Sequence, residues 1–79
     1  MAILSILAQI TEERERQDNK WGEQNHSDGD WSLIFNEEYG EAAKARLEED
    51  YRQFRKELVE SAAVLVAWIE AIDRRGLFR

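Results

Sequence analysis

Two pairs of glutamates hold the residues best placed to do chemistry in this chain. In Asn36-Glu37-Glu38-Tyr39-Gly40-Glu41 the carboxylates of Glu38 and Glu41 stand three positions apart, and Lys56-Glu57-Leu58-Val59-Glu60 repeats that spacing for Glu57 and Glu60. On a helix, three-residue spacing puts both members of a pair on one face. If the chain folds back about a turn near Glu49, Glu41 comes opposite Glu57 and Glu38 opposite Glu60, so four carboxylates converge. Like charges about 5 Å apart repel by roughly 3 kcal/mol per pair at an effective dielectric near 20. Such a group needs a bound cation or raised pKa values. An all-oxygen donor set suits Mg²⁺, with Mn²⁺ as a substitute, and these ions keep waters that a phosphate can replace.

A plainer reading stands beside this one. Glutamate is a good helix former, and two of them three apart in an acidic helical protein are commonly just a solvated face. What weighs against it is position: Glu57 and Glu60 border the most apolar stretch of the chain, where acidic side chains need a reason. Gly40, inside the first pair, costs about 1 kcal/mol relative to Ala in a helix interior. Its presence there suggests that another backbone or a ligand comes close.

The elements that must position these side chains are helical. Proline is absent, and the few glycines fall at 22, 29, 40 and 76. A first helix is expected from about Ala2 to Asp18, with Ile3, Ile6, Leu7 and Ile10 at helical spacing and facing the core. The opening MAILSILAQI has no positively charged lead and no small-residue cleavage site, so it reads as that helix rather than as a leader. Asn19–Asp30 has the composition of a loop, and Asp30 is expected to cap a second helix running from Trp31 to about Leu47. Asp50 and Gln53 form a capping box, which starts a third helix just after Asp50; it ends near Arg75 with Gly76 as a left-handed cap. One bent helix from Trp31 to Arg75 is the alternative, but about 45 residues of unbroken helix is unusual in so small a domain. The fold class is therefore all-α: three helices per chain in one domain spanning 1–79, with a helical hairpin that packs into an oligomeric, four-helix-bundle-like core.

Composition narrows the function further. Seventy-nine residues without a cysteine allow neither disulfides nor thiolate metal sites, and one histidine, His26, cannot build a zinc site without carboxylates. A net charge of −6 argues against nucleic acid, whose binders show a basic face. It leaves room for a nucleotide if a divalent cation stands between the negative charges. From Leu58 to Ile72 nearly every position is apolar on all sides of the third helix, which predicts cover from partner chains in a dimer or tetramer. Glu60 and Glu70 interrupt that run and it is too short for a bilayer, so a cytoplasmic protein with no membrane partner is expected.

The order EExxE, fifteen residues, then ExxE resembles the MazG-like all-α nucleoside triphosphate pyrophosphohydrolases, whose signature is ExxE followed at similar distance by ExxD. Arg16-Gln17-Asp18-Asn19-Lys20-Trp21-Gly22-Glu23-Gln24-Asn25-His26 is similar to the Trp–His segment before the first acidic helix in several members, so the resemblance covers about residues 13–73. It implies that Glu38, Glu41, Glu57 and Glu60 ligate Mg²⁺, and that a nucleoside triphosphate, standard, modified or deoxy, is hydrolysed to monophosphate and pyrophosphate. It departs at Glu60, where the family usually has Asp; the extra methylene still reaches a cation. Glu37 is assigned to the catalytic group as a supporting residue or as one that orients the attacking water. Trp21, His26 and Trp31 are candidates for enclosing the base, because aromatic faces stack on bases. Trp31 at a helix start fits a core position equally well, and His26 fits a loop-stabilising one. Lys44 and Lys56 are near enough to reach phosphates, although ordinary surface pairing explains them too. The rival reading is a non-catalytic helical oligomer acting as a binding or assembly module.

Overall fold

Polar residues and left-handed backbone positions at the segment ends set where each helix starts and stops. The computed structural model describes residues 2–76, and these form α1 (Ala2–Trp21), α2 (Asp28–Leu47) and α3 (Tyr51–Arg75), with no strand among the described residues. The α1 helix runs three residues past the expected Asp18 because the chain stays helical until Gly22, whose φ of 72° lets its amide donate back to the Asp18 carbonyl at 2.8 Å.

The cap of α2 differs from expectation. Ser27, not Asp30, holds the N-terminus, its hydroxyl accepting from the Asp30 amide at 3.2 Å. Starting at Asp28 places two carboxylates, Asp28 and Asp30, in the positive first turn. It also frees the Asp28 carboxylate to accept from the Trp68 indole and from Arg75, both at 2.9 Å, which ties the start of α2 to the end of α3. The connecting loop is thereby reduced to 22–27.

The hairpin forms where the glutamate pairing requires it. Glu49 turns left-handed at φ 59°, the Asp50 amide donates to the Ala45 carbonyl at 3.0 Å, and the Asp50 carboxylate accepts from the Gln53 amide at 3.1 Å. A left-handed non-glycine residue costs about 1–2 kcal/mol, and the reversal it permits sets α2 antiparallel to α3. At the far end of α3, Gly76 is left-handed at φ 68°, as expected of a C-cap.

Both α1 and α2 pack on α3. The core is small: Trp31, 1% exposed, packs with Val64, Ala67 and Ala71, flanked by Ile34, Phe35 and Trp68. Ala42, Ala45 and Ala63 are buried as well, small enough to let the two hairpin helices approach. The expectation that α1 faces the core through its apolar first turns does not hold within the chain. Its ties to α3 are polar and start later, with Gln9 accepting from Arg55 and Arg14 donating to Glu70, each at 2.8 Å, so Ile3, Leu4, Ile6 and Leu7 stay exposed and α1 buries no residue. Nor is α3 covered on all sides, since Leu58, Leu65, Val66 and Ile69 remain exposed. Among the described residues no helix is long and apolar enough to cross a membrane.

Candidate metal centre

The antiparallel hairpin brings the two glutamate pairs together. One carboxylate oxygen each from Glu38, Glu41 and Glu57 lies within 4.8 Å of the others. Their surroundings grade from exposed to buried: Glu41 on the surface, Glu38 half-buried, Glu57 only 7% exposed. Gln53 donates to one oxygen of Glu57 at 2.6 Å, and the other oxygen, Oε2, is buried without a hydrogen-bond partner. Oε2 of Glu38 is buried and unpartnered too. A buried carboxylate oxygen with no donor forfeits its hydration without return, a penalty of about 1–3 kcal/mol and more when charged. Two such oxygens beside a third carboxylate make a donor set that fits a divalent cation, hard and oxygen-seeking.

Electrostatics point the same way. Burial, followed by the charges of Glu41 and Glu57, raises the Glu38 carboxyl above its ordinary pKa. Glu41 is raised first by the charge of Glu57 and then by partial burial. Glu60 is pushed up to about 7 by burial first, then by the adjacent Glu57 carboxylate and by the charges of Glu38 and Glu13. The mirrored pairing is thus present with one refinement. Among the described residues three carboxylates form the tight group, and Glu60 sits at its edge, coupled through Glu57 and Glu38.

The edge is closed by α1, which pattern reading did not place in the site. Glu13 accepts from Arg16 at 2.7 Å, and that bond holds its carboxyl below the ordinary range. Its negative charge is felt at Glu38 and Glu60, and the Arg16 guanidinium in turn feels both of those glutamates. The only signal in the sequence was a charged run, TEERER, indistinguishable from a solvated helix face.

The remaining candidates scatter around this cluster. Glu37 is exposed and outside the trio, although its charge reaches Glu41. A cavity of about 450 Å³ opens from Glu38 between Trp21, Trp31, Ile34, Val64 and Ala67, with Arg14 and Arg16 at its wall. Trp21, 61% exposed and under the Lys20 ammonium at 4.8 Å, offers a free ring face to that space. Trp31 does not; its ring is core and can serve as wall only, with its indole nitrogen buried and unpartnered. His26 stacks edge-on to Trp31 with centroids 4.9 Å apart, its Nε2 2.9 Å from the Gln24 side-chain oxygen, which is the loop-stabilising role. Lys44 is exposed beside Glu41, and Lys56 lines a second cavity together with Glu60. Gly40 is not pressed by anything: a Cβ there would meet nothing within 4 Å, so the expected close approach is absent within the chain.

Comparison of the chain with protein-family models, curated proteins and solved structures finds no match.

Proposed function

We propose that the protein is a Mg²⁺-dependent nucleoside triphosphate pyrophosphohydrolase of the MazG-like kind. The observation that carries the reading is the unpartnered, buried Oε2 of Glu57 beside Glu38 and Glu41 in a site built from two helices. Glu38, Glu41 and Glu57 would hold the cation, with Glu60 joining them from the edge, and Mn²⁺ would substitute. When bound, the cation supplies charge neutralisation and polarisation of the reacting phosphoryl group. The chain's own part is positioning. The nucleoside enters the cavity walled by Trp21 and Trp31, and the α-phosphate comes to rest beside the glutamates. Water then bonds to the α-phosphorus while the bond from the α-phosphorus to the α–β bridging oxygen breaks, and pyrophosphate departs with that oxygen and the electron pair. The proton of the water passes to an exposed acceptor, for which we assign Glu37 beside Glu41. Lys44 and Lys56 supply positive charge at the rim.

The test is a panel of standard, deoxy and modified nucleoside triphosphates assayed for pyrophosphate and orthophosphate separately. Pyrophosphate as the primary product, lost with EDTA and abolished in a folded Glu41→Ala variant, is the expected result. Glu60→Asp is expected to retain or increase the activity. Orthophosphate as the primary product, or undiminished turnover by Glu41→Ala, contradicts the mechanism.

One observation favours adding assembly to this reading. Apolar side chains remain exposed on both α1 and α3, among them Leu4, Leu7, Leu65 and Ile69, more than a chain of this size leaves bare without a partner. We therefore read the working form as a cytoplasmic homodimer or homotetramer, and sedimentation at micromolar concentration is expected to exclude a 9.3 kDa monomer. A helical oligomer that is active towards none of the panel, Glu60→Asp included, would instead be a binding or assembly module.

A further inference from the structure

A second cavity, of about 460 Å³, lies between α1 and the first turns of α3, on the Glu60 side of the glutamate cluster. Arg16, Arg52, Arg55 and Lys56 line it together with Glu12, Glu13 and Glu60, four cations against three carboxylates. We propose that this cavity receives the two terminal phosphates of the substrate, and therefore the pyrophosphate product, so that the substrate lies with its nucleoside towards Trp31 and its phosphate tail towards Arg52 and Arg55. The assignment rests on the hydrolase reading and adds an orientation to it.

Three observations support it. First, the cations are unspent. In a chain of net charge −6, Arg52, Arg55 and Lys56 form no ion pair among the described residues, whereas Arg14, Arg16, Arg74 and Arg75 all do. Spaced at 52, 55 and 56, they share one face of α3. Arg55 is held over the gap by donating to the Gln9 side-chain oxygen of α1 at 2.8 Å. Second, their helical position adds to their charge, since they stand in the opening turns of a 25-residue helix, at its positive end. Arginine forks match phosphate oxygens in pairs. Third, the two cavities flank the glutamates and differ in kind. Glu38 borders the first and Glu60 the second, with Arg16 on the wall of both. The first offers two tryptophans and aliphatic side chains to a base, and the three arginines on its wall, Arg14, Arg16 and Arg74, are all paired with carboxylates. The second has no aromatic lining residue, and three of its four cations, Arg52, Arg55 and Lys56, stand outside any ion pair among the described residues, which suits a polyphosphate. With an α-phosphate at the glutamates, this difference directs the phosphate tail towards the unpaired cations of the second cavity.

The experiment is calorimetric titration of inorganic pyrophosphate into the wild-type protein with Mg²⁺ present, repeated on Arg52→Gln/Arg55→Gln and on a charge-matched control, Arg46→Gln/Arg75→Gln. Both sets of residues are exposed, and the one ion pair lost, Arg75 with Asp28, is a surface pair that adds little to stability. Both variants therefore stay folded, which circular dichroism checks. Each charge-assisted contact to phosphate is worth on the order of a factor of ten in affinity. Pyrophosphate affinity is expected to fall by about tenfold or more in the first double variant, and to stay within about threefold of wild type in the control. Nucleoside monophosphate, which lacks the terminal phosphates, is expected to bind all three proteins alike. No pyrophosphate binding by the wild type, or equal losses in both double variants, overturns the assignment. Turnover measurements separate this outcome from failure of the hydrolase reading. If a triphosphate is hydrolysed to pyrophosphate while Arg52→Gln/Arg55→Gln keeps the wild-type KM, the cavity assignment alone falls. If no triphosphate is hydrolysed yet pyrophosphate binding still depends on Arg52 and Arg55, the anion site stands and the hydrolase reading falls.

Discussion

The two ends of the α2–α3 hairpin are built on opposite electrostatic plans. At the open end Asp28 accepts from Trp68 and Arg75, and its carboxyl is held below the ordinary range, first by the Trp68 hydrogen bond and then by that to Arg75. Nearby, Arg74 donates to Asn25 and to the Gln24 carbonyl, and Trp31 fills the core. Asp28, Arg74 and Arg75 there each meet a polar or oppositely charged partner. Towards the turn, Glu38, Glu41, Glu57 and Glu60 meet one another, and burial and mutual repulsion raise the carboxyls of Glu38, Glu41 and Glu60. The first arrangement stabilises the fold. The second places like charges together, a local conflict of the kind that concentrates at functional sites.

That contrast can be broken at either end. The largest effect is expected from Trp31→Ala, which empties the only fully buried large side chain among the described residues; stability should fall by about 3–5 kcal/mol in urea unfolding. A loss below about 1 kcal/mol would mean that the open end is not a packed core.

Next in size is the dependence on pH. In the folded state Glu60 holds its proton up to about 7, against 4.5 when unperturbed, so its contribution to stability is complete below the lower value and is lost as pH rises through the higher one. Glu38 and Glu41 shift in the same direction. Asp28 and Glu13 have the opposite sign: their stabilisation is present at neutral pH and is lost only in acid. In EDTA, Tm should therefore decline between about pH 5 and about pH 8, and Mg²⁺ should remove the decline. A Tm that rises over that interval in EDTA would show that the glutamates do not strain the fold.

A smaller gain, roughly 1 kcal/mol in the metal-free protein, is expected of Glu57→Gln, which removes one of the facing charges while keeping an oxygen for Gln53. Destabilisation by this change would place Glu57 among the structural residues instead. The smallest effect sharpens the comparison further. Gly40→Ala should stabilise the helix by about 1 kcal/mol or less, because nothing in the chain lies within 4 Å of the added carbon. If hydrogen exchange on the assembled protein shows a loss instead, a partner chain or ligand covers Gly40.

Much of this was legible in the residues. Asp50 with Gln53, and Gly76, marked both ends of α3, because a cap is a local matter of one side chain or one φ angle. The glutamate register followed from the turn at Glu49 alone, since the antiparallel arrangement fixes which residues face each other. The start of α2 was misplaced because Ser27 and Asp30 are equally good caps in isolation; the choice was made from a distance, by Trp68 and Arg75 drawing in Asp28. The part played by Glu13 and Arg16 was illegible for the same reason. Whether a charged helix faces solvent or a site depends on how α1 lies against α3, and no periodicity within α1 encodes that.

The central claim is that the glutamate cluster is a cation site, and calorimetric titration with Mn²⁺ and Mg²⁺ in the absence of nucleotide tests it most directly. The wild type should bind with saturation at millimolar or lower concentration and release protons near neutral pH, because the cation displaces those held by the raised carboxyls. Glu57→Gln and Glu38→Gln should each weaken binding by about tenfold or more. Arg75→Gln, at the charge-matched end of the hairpin, should leave it unchanged. Binding that is absent in the wild type, or that persists undiminished in Glu57→Gln, would contradict the account.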